Sequence, residues 1–440
     1  MRLLLCLCIV LLVFWSAVQG DGHHGRQPHP RPPGQDHSKG HGQGHGHGHG
    51  RGHSHGRGHE KHHDKDSLKI HRENMDFAFR LYKHISAQNN SQSKNVFFSP
   101  LSVSVALAAL SVGARGPTHQ QLFEGLGFNE TDITEEEVNE AFQHIFQDLN
   151  KKTDVDLSLG SALFVDDNFK PRAEFLESMK RYFQAEGFST DFVKAEEAKQ
   201  QINKYVEEKT KGKIPKLVDE LDPQTIMFLV SYIYFKGKWE VPFEPDQTKA
   251  GTFHIDDKTN VTVQMMTEKD NFLVYHDEEI STHVLQLHYN ESVSMLLVLP
   301  EKGMKGLEEV ICREHVAKWL RWMKKRECKV FLPKFSISAS LQLTDILTEM
   351  GFTDMFSNSA DFSGITEDHK VKVSKFVHQA TLDVDEAGAT ATGATGVGIT
   401  LYSLRPYTTL KFDRPFMVII CDQKTKSILF LGKIVDPTEK

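Results

Sequence analysis

One segment constrains the fold of this chain more than any other, the nearly unbroken apolar run at residues 225–235. It is rich in residues that favour extended structure. A strand with apolar side chains on both faces is stable only where both faces are covered. The run therefore predicts a strand at the centre of a large sheet.

From residue 67 onward, the sequence predicts helices mainly in its first half and strands mainly in its second. Ser99 and Pro100 mark the start of one helix, because serine caps free backbone N–H groups and proline fits the first turn. Asn74 is the predicted cap of an earlier amphipathic helix. Further elements are a helix at 195–211 and strands at 95–98, 416–420 and 427–435. Together they predict an α+β domain with large antiparallel sheets.

Residues 1–20 are typical of a secretory signal, with Arg2 at the positive start, an apolar run at 3–15 and small residues before Gly20. A membrane anchor is the alternative, but the apolar run is short for a bilayer span. No other segment approaches the roughly 18 consecutive apolar residues of a membrane helix. We therefore predict a secreted, extracellular protein that does not enter a membrane.

Residues 21–66 hold 13 of the 24 histidines and almost no aliphatic side chain. Such a segment buries too little apolar surface to offset the entropy of ordering, so we predict a disordered extension. Histidine clusters chelate Zn(II), Ni(II) or Cu(II), and the predicted ligands here are His45, His47, His49, His53 and His55. Cleavage after Gly20 would add a copper or nickel site from the amine of Asp21 and the imidazole of His23. The alternative is a solvated spacer.

Two basic features indicate anionic glycans as partners. Protonation near pH 6 would make the histidine tract strongly positive. A second segment is predicted to be a basic amphipathic helix, and its charged residues are Lys318, Arg321, Lys324, Lys325 and Arg326. The alternative for this segment is an ordinary solvated helix face. The net charge of −7 gives no reason to expect nucleic-acid binding.

Two kinds of surface chemistry follow from short motifs. Asn-x-Ser/Thr motifs predict glycan acceptors at Asn89, Asn129, Asn260 and Asn290. Three cysteines lie beyond the signal, at Cys312, Cys328 and Cys421. An odd number leaves at least one thiol without an internal partner, and we predict no disulfide. The pair Cys312 and Cys328 is the one to test.

Six short segments, taken together and in order, resemble the serpin family, in particular its antitrypsin and antichymotrypsin group. They lie at 95–102, 235–239, 377–380, 385–388, 412–416 and 430–433. The resemblance implies one α+β domain at 67–440 with about nine helices, three mainly antiparallel sheets and an exposed reactive loop at about 386–406. It implies a monomer that is not an enzyme, and heparin becomes a candidate glycan, since some serpins bind it through a similarly placed helix.

The resemblance also implies a mechanism. A protease attacks the loop and forms an acyl-enzyme, the cleaved loop inserts into the main sheet, and the protease is distorted before it can deacylate. The family pattern places Ser99, Ser102 and His378 in a cluster that controls opening of this sheet, with Trp239 at its top. Ser231 stands where the family usually has asparagine, which predicts altered sheet opening.

The loop itself has the composition that insertion needs. Its predicted hinge contains Glu386, Gly388, Ala389 and Ala391. Alternate residues from Ala389 onward are uncharged and mostly small, which suits side chains that slide between two strands and then face a packed core. The alternative is a flexible linker.

The bait bond is predicted at Tyr402–Ser403, because Tyr402 lies sixteen residues after Glu386. A tyrosine before the cut fits the deep apolar pocket of chymotrypsin-like proteases. Counting back from Lys411 gives the alternative bond, Leu404–Arg405. The predicted function is therefore covalent trapping of chymotrypsin-like serine proteases. The competing interpretation is a non-inhibitory serpin that carries or stores a ligand or metal.

Overall fold

The computed structural model describes residues 56–88, 91, 93–153, 155–289, 293–367, 371–387, 407–425 and 427–439, with side chains from Lys69 onward. Residues His55–Lys440 belong to one compact unit. The predicted signal and the predicted metal ligands lie outside the described residues.

Nine α-helices lie in the described part of the chain. They are α1 (Gly56–Ala87), α2 (Pro100–Ser111), α3 (Gly116–Gly125), α4 (Glu135–Asn150), α5 (Ala173–Phe183), α6 (Ala195–Lys209), α7 (Met304–Val310), α8 (Arg313–Trp322) and α9 (Thr344–Glu349). The described residues also form two short 3-10 helices, at Pro245–Gln247 and Asp354–Phe356. None of the helices described here is both long and apolar enough to cross a membrane.

Fourteen strands accompany these helices. They are β1 (Val96–Phe98), β2 (Val155–Asp166), β3 (Glu186–Thr190), β4 (Met227–Gly237), β5 (Lys249–His254), β6 (Asn260–Asp277), β7 (Thr282–Tyr289), β8 (Val293–Pro300), β9 (Lys324–Pro333), β10 (Phe335–Gln342), β11 (Val373–Val384), β12 (Thr408–Lys411), β13 (Phe416–Asp422) and β14 (Ile428–Ile434). The predicted α+β class is confirmed.

The apolar run becomes β4, in the middle of a five-stranded sheet with the order β10-β11-β4-β2-β3. Ten of its eleven residues are buried. One face packs into the main core with Leu229, and the other into a smaller core with Val230 and Ile202 of α6. This two-sided burial is the arrangement that the apolar run predicts.

The other strands form one nine-stranded sheet, so the described residues contain two hydrogen-bonded sheets rather than the three that the resemblance implies. The reason is β6, whose 18 residues pair with different strands along its length. Its first part pairs with β5, its middle with β9 and its last part with β7. A single long strand thereby joins two groups of strands into one ladder. Most strand pairs are antiparallel, as expected.

The start of α1 corrects two expectations. The helix begins at Gly56, so the predicted disordered extension at 21–66 is wrong for its last eleven residues. Asn74 is no cap but lies inside the helix, where it is buried. From His59 to Ala87 the chain has no glycine or proline, and its lysine and glutamate residues have good helix propensity. A polar composition was therefore mistaken for a lack of structure.

Candidate functional site

Strands β4 and β11 form a seam at the centre of the five-stranded sheet. They run parallel, with paired residues from Met227 and Val373 to Phe235 and Leu382. The end of β11 leads directly into the predicted reactive loop. A chain that turned back and entered between these strands would run antiparallel to both. Because antiparallel pairing is slightly more stable per residue, insertion would exchange one parallel ladder for two better ones.

His378 lies fully buried in this seam, directly opposite Ser231. The backbone N–H of Ser99 donates to His378 Nε2 at 2.9 Å, so Nε2 is the unprotonated nitrogen. The neutral imidazole then carries its proton on Nδ1 and donates to Ser231 Oγ at 2.6 Å. Ser102 Oγ lies 3.2 Å from both Ser231 Oγ and the backbone oxygen of Tyr232. These bonds connect both strands of the seam to the start of α2.

The same serines also fix the first turn of α2. Ser99 Oγ accepts a hydrogen bond from the backbone N–H of Ser102 at 3.1 Å, and Pro100 occupies the first helical position. Since Ser99 also donates to His378, the seam can open only if the cluster is broken or α2 moves. The structure therefore brings together three of the residues predicted to control the sheet, and Ser231 reaches His378 although it is shorter than an asparagine.

Acidification is expected to destabilise the folded chain through His378. Burial lowers the pKa of His378 to about 3, whereas an unfolded histidine titrates near 6.5, within about one unit. Between these values the unfolded chain binds a proton that the folded chain does not. The free energy of unfolding should therefore fall as the pH falls, by about 3 kcal/mol from pH 7 to pH 4. Urea unfolding over this range measures the slope.

A variant isolates this contribution. Burial also lowers the pKa of His71, to about 4, so two histidines act in the same direction. The variant His378→Gln should be less stable at pH 7 but should lose less stability on acidification. An acid slope that is unchanged in His378→Gln would contradict the assignment.

Trp239 holds the backbone in place just after the end of β11. Its indole Nε1 donates to the backbone oxygen of Asp385 at 2.8 Å, and its ring stacks on Tyr289 with centroids 4.1 Å apart. Lys236, near the end of β4, pairs with the Asp385 carboxylate at 3.1 Å. This ion pair is partly exposed and contributes modestly to stability. Its position matters more, because it spans the two strands that insertion would separate.

Glu386, the first predicted hinge residue, is also held in place. Its backbone oxygen accepts from the N–H of Phe243, and its carboxylate accepts from Lys334 Nζ, each at 2.9 Å. Burial acts to raise the pKa of Glu386, but the hydrogen bonds to its carboxylate and the positive charge of Lys334 together outweigh burial, so the pKa is lowered. The other predicted loop residues, Gly388, Ala389, Ala391, Tyr402 and Ser403, lie outside the described residues.

The chain is described again from Tyr407, whose ring lies 4.3 Å from Lys269 Nζ. Strand β12 then pairs in parallel with β9, starting with Thr408 opposite Cys328. The loop therefore leaves from the five-stranded sheet and ends on the nine-stranded sheet. Full insertion of the intact segment would also require β12 to leave the nine-stranded sheet, and a cut within the segment removes that requirement.

The predicted glycan acceptors divide into two groups. Asn129 and Asn260 are exposed. Asn129 Oδ1 accepts from the backbone N–H and the hydroxyl of Thr131, so the motif forms a local turn. Asn260 begins β6. The acceptors Asn89 and Asn290 lie outside the described residues.

The predicted basic helix is wrong in one respect. Helix α8 ends at Trp322, because Met323 adopts an extended backbone conformation. Lys324, Lys325 and Arg326 are exposed on β9 and do not share a helix with Lys318. Lys318 is engaged by the carboxylates of Asp277 and Glu279, at 2.9 and 2.6 Å. Among the described residues, no disulfide joins Cys312, Cys328 and Cys421.

Sequence reasoning missed the residues that anchor the hinge. Lys236 lies within 235–239, one of the segments that resemble the family. Its pairing with Asp385 across the seam becomes visible only from the strand register. Lys334 lies 52 residues before Glu386, and no local pattern connects the two. Phe243 contributes a backbone N–H, which leaves no mark in the sequence.

Comparison with known proteins adds independent information. A family model described as "Serpin (serine protease inhibitor)" matches residues 72–437. Alpha-1-antiproteinase 2 of Equus caballus is 46% identical over 83% of this chain and 86% of its own length. Alpha-1-antitrypsin of Sus scrofa is 42% identical over 83% and 86%.

Solved structures agree with these relatives. Human thyroxine-binding globulin, solved with its ligand, has a TM-score of 0.80 and 41% identity and covers 85% of this chain and 100% of its own. Human glycosylated kallistatin has a TM-score of 0.79 and 42% identity, with the same coverage. The fold, the family model and the relatives lead to one conclusion: the chain belongs to the serpin family of serine protease inhibitors.

Proposed function

We propose that this serpin is a secreted suicide inhibitor of chymotrypsin-like serine proteases, with Tyr402–Ser403 as its bait bond. One observation carries the proposal. The parallel seam between β4 and β11 runs directly into a loop whose alternate residues are uncharged and mostly small. Such a seam gains antiparallel partners on both sides when that loop enters it.

The chemistry is supplied by the protease and the trap by the serpin. The protease serine attacks the carbonyl carbon of Tyr402, the peptide bond to Ser403 breaks, and the new amine of Ser403 leaves with the C-terminal fragment. Tyr402 remains bound to the protease as an ester. Once cut, the loop is free to enter the seam, and it carries the acylated protease along the sheet before water can cleave the ester.

Incubation with chymotrypsin tests this directly. We expect a covalent complex that survives boiling in detergent, and mass spectrometry of the released fragment should find Ser403 at its start. Cleavage within the loop without any such complex would overturn the proposal. A fragment that begins at Arg405 would keep the mechanism but move the bond to Leu404–Arg405.

The second candidate function is a ligand carrier. It is favoured by the likeness to thyroxine-binding globulin, a serpin fold solved with bound thyroxine. In that case a protease would cut the loop as an ordinary substrate, and thermal stability would not rise after cutting. Glycines at 393, 396 and 398 lower the strand propensity of the loop and are consistent with this reading.

We further propose that the histidine tract binds transition metals through His45, His47, His49, His53 and His55, with Asp21 and His23 as a second site. Calorimetry with Zn(II) or Cu(II) should show several sites in the full chain and fewer sites when residues 21–55 are removed. Ending the deletion at residue 55 keeps α1, which begins at Gly56, intact. Equal binding by both chains would refute this placement.

A further inference from the structure

A histidine pair lies on the nine-stranded sheet, far in sequence from the histidine tract. His276 of β6 and His283 of β7 are directly paired across the two strands. Their rings stack with centroids 4.3 Å apart and planes 15° apart. Two imidazoles on adjacent rigid strands need little ordering to act together.

Glu301 completes the cluster from the turn after a third strand. It directly follows β8, and its backbone N–H donates to the oxygen of Ser281 at 2.9 Å. Its Oε1 lies 3.0 Å from the Nε2 of His276 and 3.0 Å from the Nε2 of His283. Two imidazole nitrogens and one carboxylate thus converge on a single point.

These distances are close to those of a metal site. Zinc binds imidazole nitrogen at about 2.0–2.1 Å and carboxylate oxygen at about 2.0–2.2 Å, so tetrahedral ligands lie about 3.4 Å apart. The ligand atoms of the three residues all lie within 4.8 Å of one another. A shift of a few tenths of an ångström opens each nitrogen–oxygen contact enough to admit the ion.

We propose that His276, His283 and Glu301 form a binding site for Zn²⁺ or a similar divalent transition-metal ion. The side chains are 43%, 30% and 42% exposed, so water has access to complete the coordination. Two histidines and one carboxylate with an open position are a common zinc ligand set. The bound ion would cross-link β6, β7 and the end of β8.

The surroundings of the cluster moderate its affinity. Neutral imidazole is the form that binds metal. The positive charge of Arg414, which also acts on His283, opposes a cation. We therefore expect weaker affinity than at a closed four-ligand zinc site.

The test must separate this site from the histidine tract, so every variant keeps the full chain. Calorimetric titration with zinc chloride should show one site fewer per chain in His283→Asn and in Glu301→Gln than in the unmodified protein. Zinc should raise the unfolding temperature of the unmodified chain, since an ion bound only by the folded state stabilises it. This rise should be lost or sharply reduced in both variants.

His254→Asn is the matched control, because His254 is a strand histidine outside the cluster. It should keep both the site count and the zinc-dependent rise in unfolding temperature. Glu301→Gln keeps the size of the side chain, so a loss of zinc binding in this variant is not explained by poor folding. Equal site counts and equal zinc-dependent shifts in all four proteins would overturn the proposal, whatever the tract binds.

Discussion

Replacing Ala391 by arginine is expected to convert the protein from an inhibitor of chymotrypsin into a substrate. Ala391 belongs to the alternate set of loop residues that would face the packed core after insertion. A buried charge without a partner costs several kcal/mol, and about 1.4 kcal/mol already changes a rate tenfold. Insertion should become slower than deacylation. The moles of serpin consumed per mole of protease inhibited should rise at least about tenfold, as titration of residual protease activity would show.

Thr390→Arg provides the matched control for this prediction. Side chains alternate along a strand, so residue 390 would face solvent after insertion. We expect near-normal inhibition from this variant, with a detergent-stable complex. Equal impairment of the two variants, or full inhibition by Ala391→Arg, would show that the loop does not insert in the predicted register.

Replacing Tyr402 by alanine should strongly slow inhibition of chymotrypsin without impairing the trap. Burial of a large apolar side chain in the specificity pocket contributes about 1.5–3 kcal/mol. The association rate constant should fall by about 10- to 100-fold. The stoichiometry of inhibition should stay the same, because the inserting residues are unchanged. Progress curves at several serpin concentrations give both quantities.

The neighbouring variant Leu404→Ala decides between the two candidate bonds. If Tyr402–Ser403 is cut, Leu404→Ala should have an association rate constant close to that of the unmodified protein. The reverse pattern, a large loss in Leu404→Ala and little change in Tyr402→Ala, would move the bait bond to Leu404–Arg405.

Local sequence patterns predicted the parts of the fold that depend on near neighbours. The apolar run at 225–235 became the central strand β4, and Ser99 with Pro100 marked the start of α2. The start of α1 was missed, because its first turns are polar on all sides and carry no apolar stripe. The merging of the expected sheets depends on the pairing of β6 with β5, β9 and β7, which is a tertiary property.

In the candidate site, too, some contacts were predicted from the sequence and others depend on the tertiary structure. The family pattern predicted that Ser99, Ser102 and His378 would lie together, and they do. The bonds from Lys236 to Asp385 and from Lys334 to Glu386 join residues that are distant in the chain. The metal cluster depends on the β6–β7 register, which places His276 opposite His283. A shift of one residue would turn these side chains to opposite faces.

Insertion of the cut loop between β4 and β11 is the step on which the proposed inhibition rests. Thermal unfolding before and after a single cleavage within residues 386–406, by a protease that is not trapped, tests it most directly. The cleaved protein should unfold at a clearly higher temperature, because a new strand replaces the parallel seam with antiparallel pairs on both sides. An unfolding temperature that is the same or lower after cleavage would contradict insertion and favour a carrier.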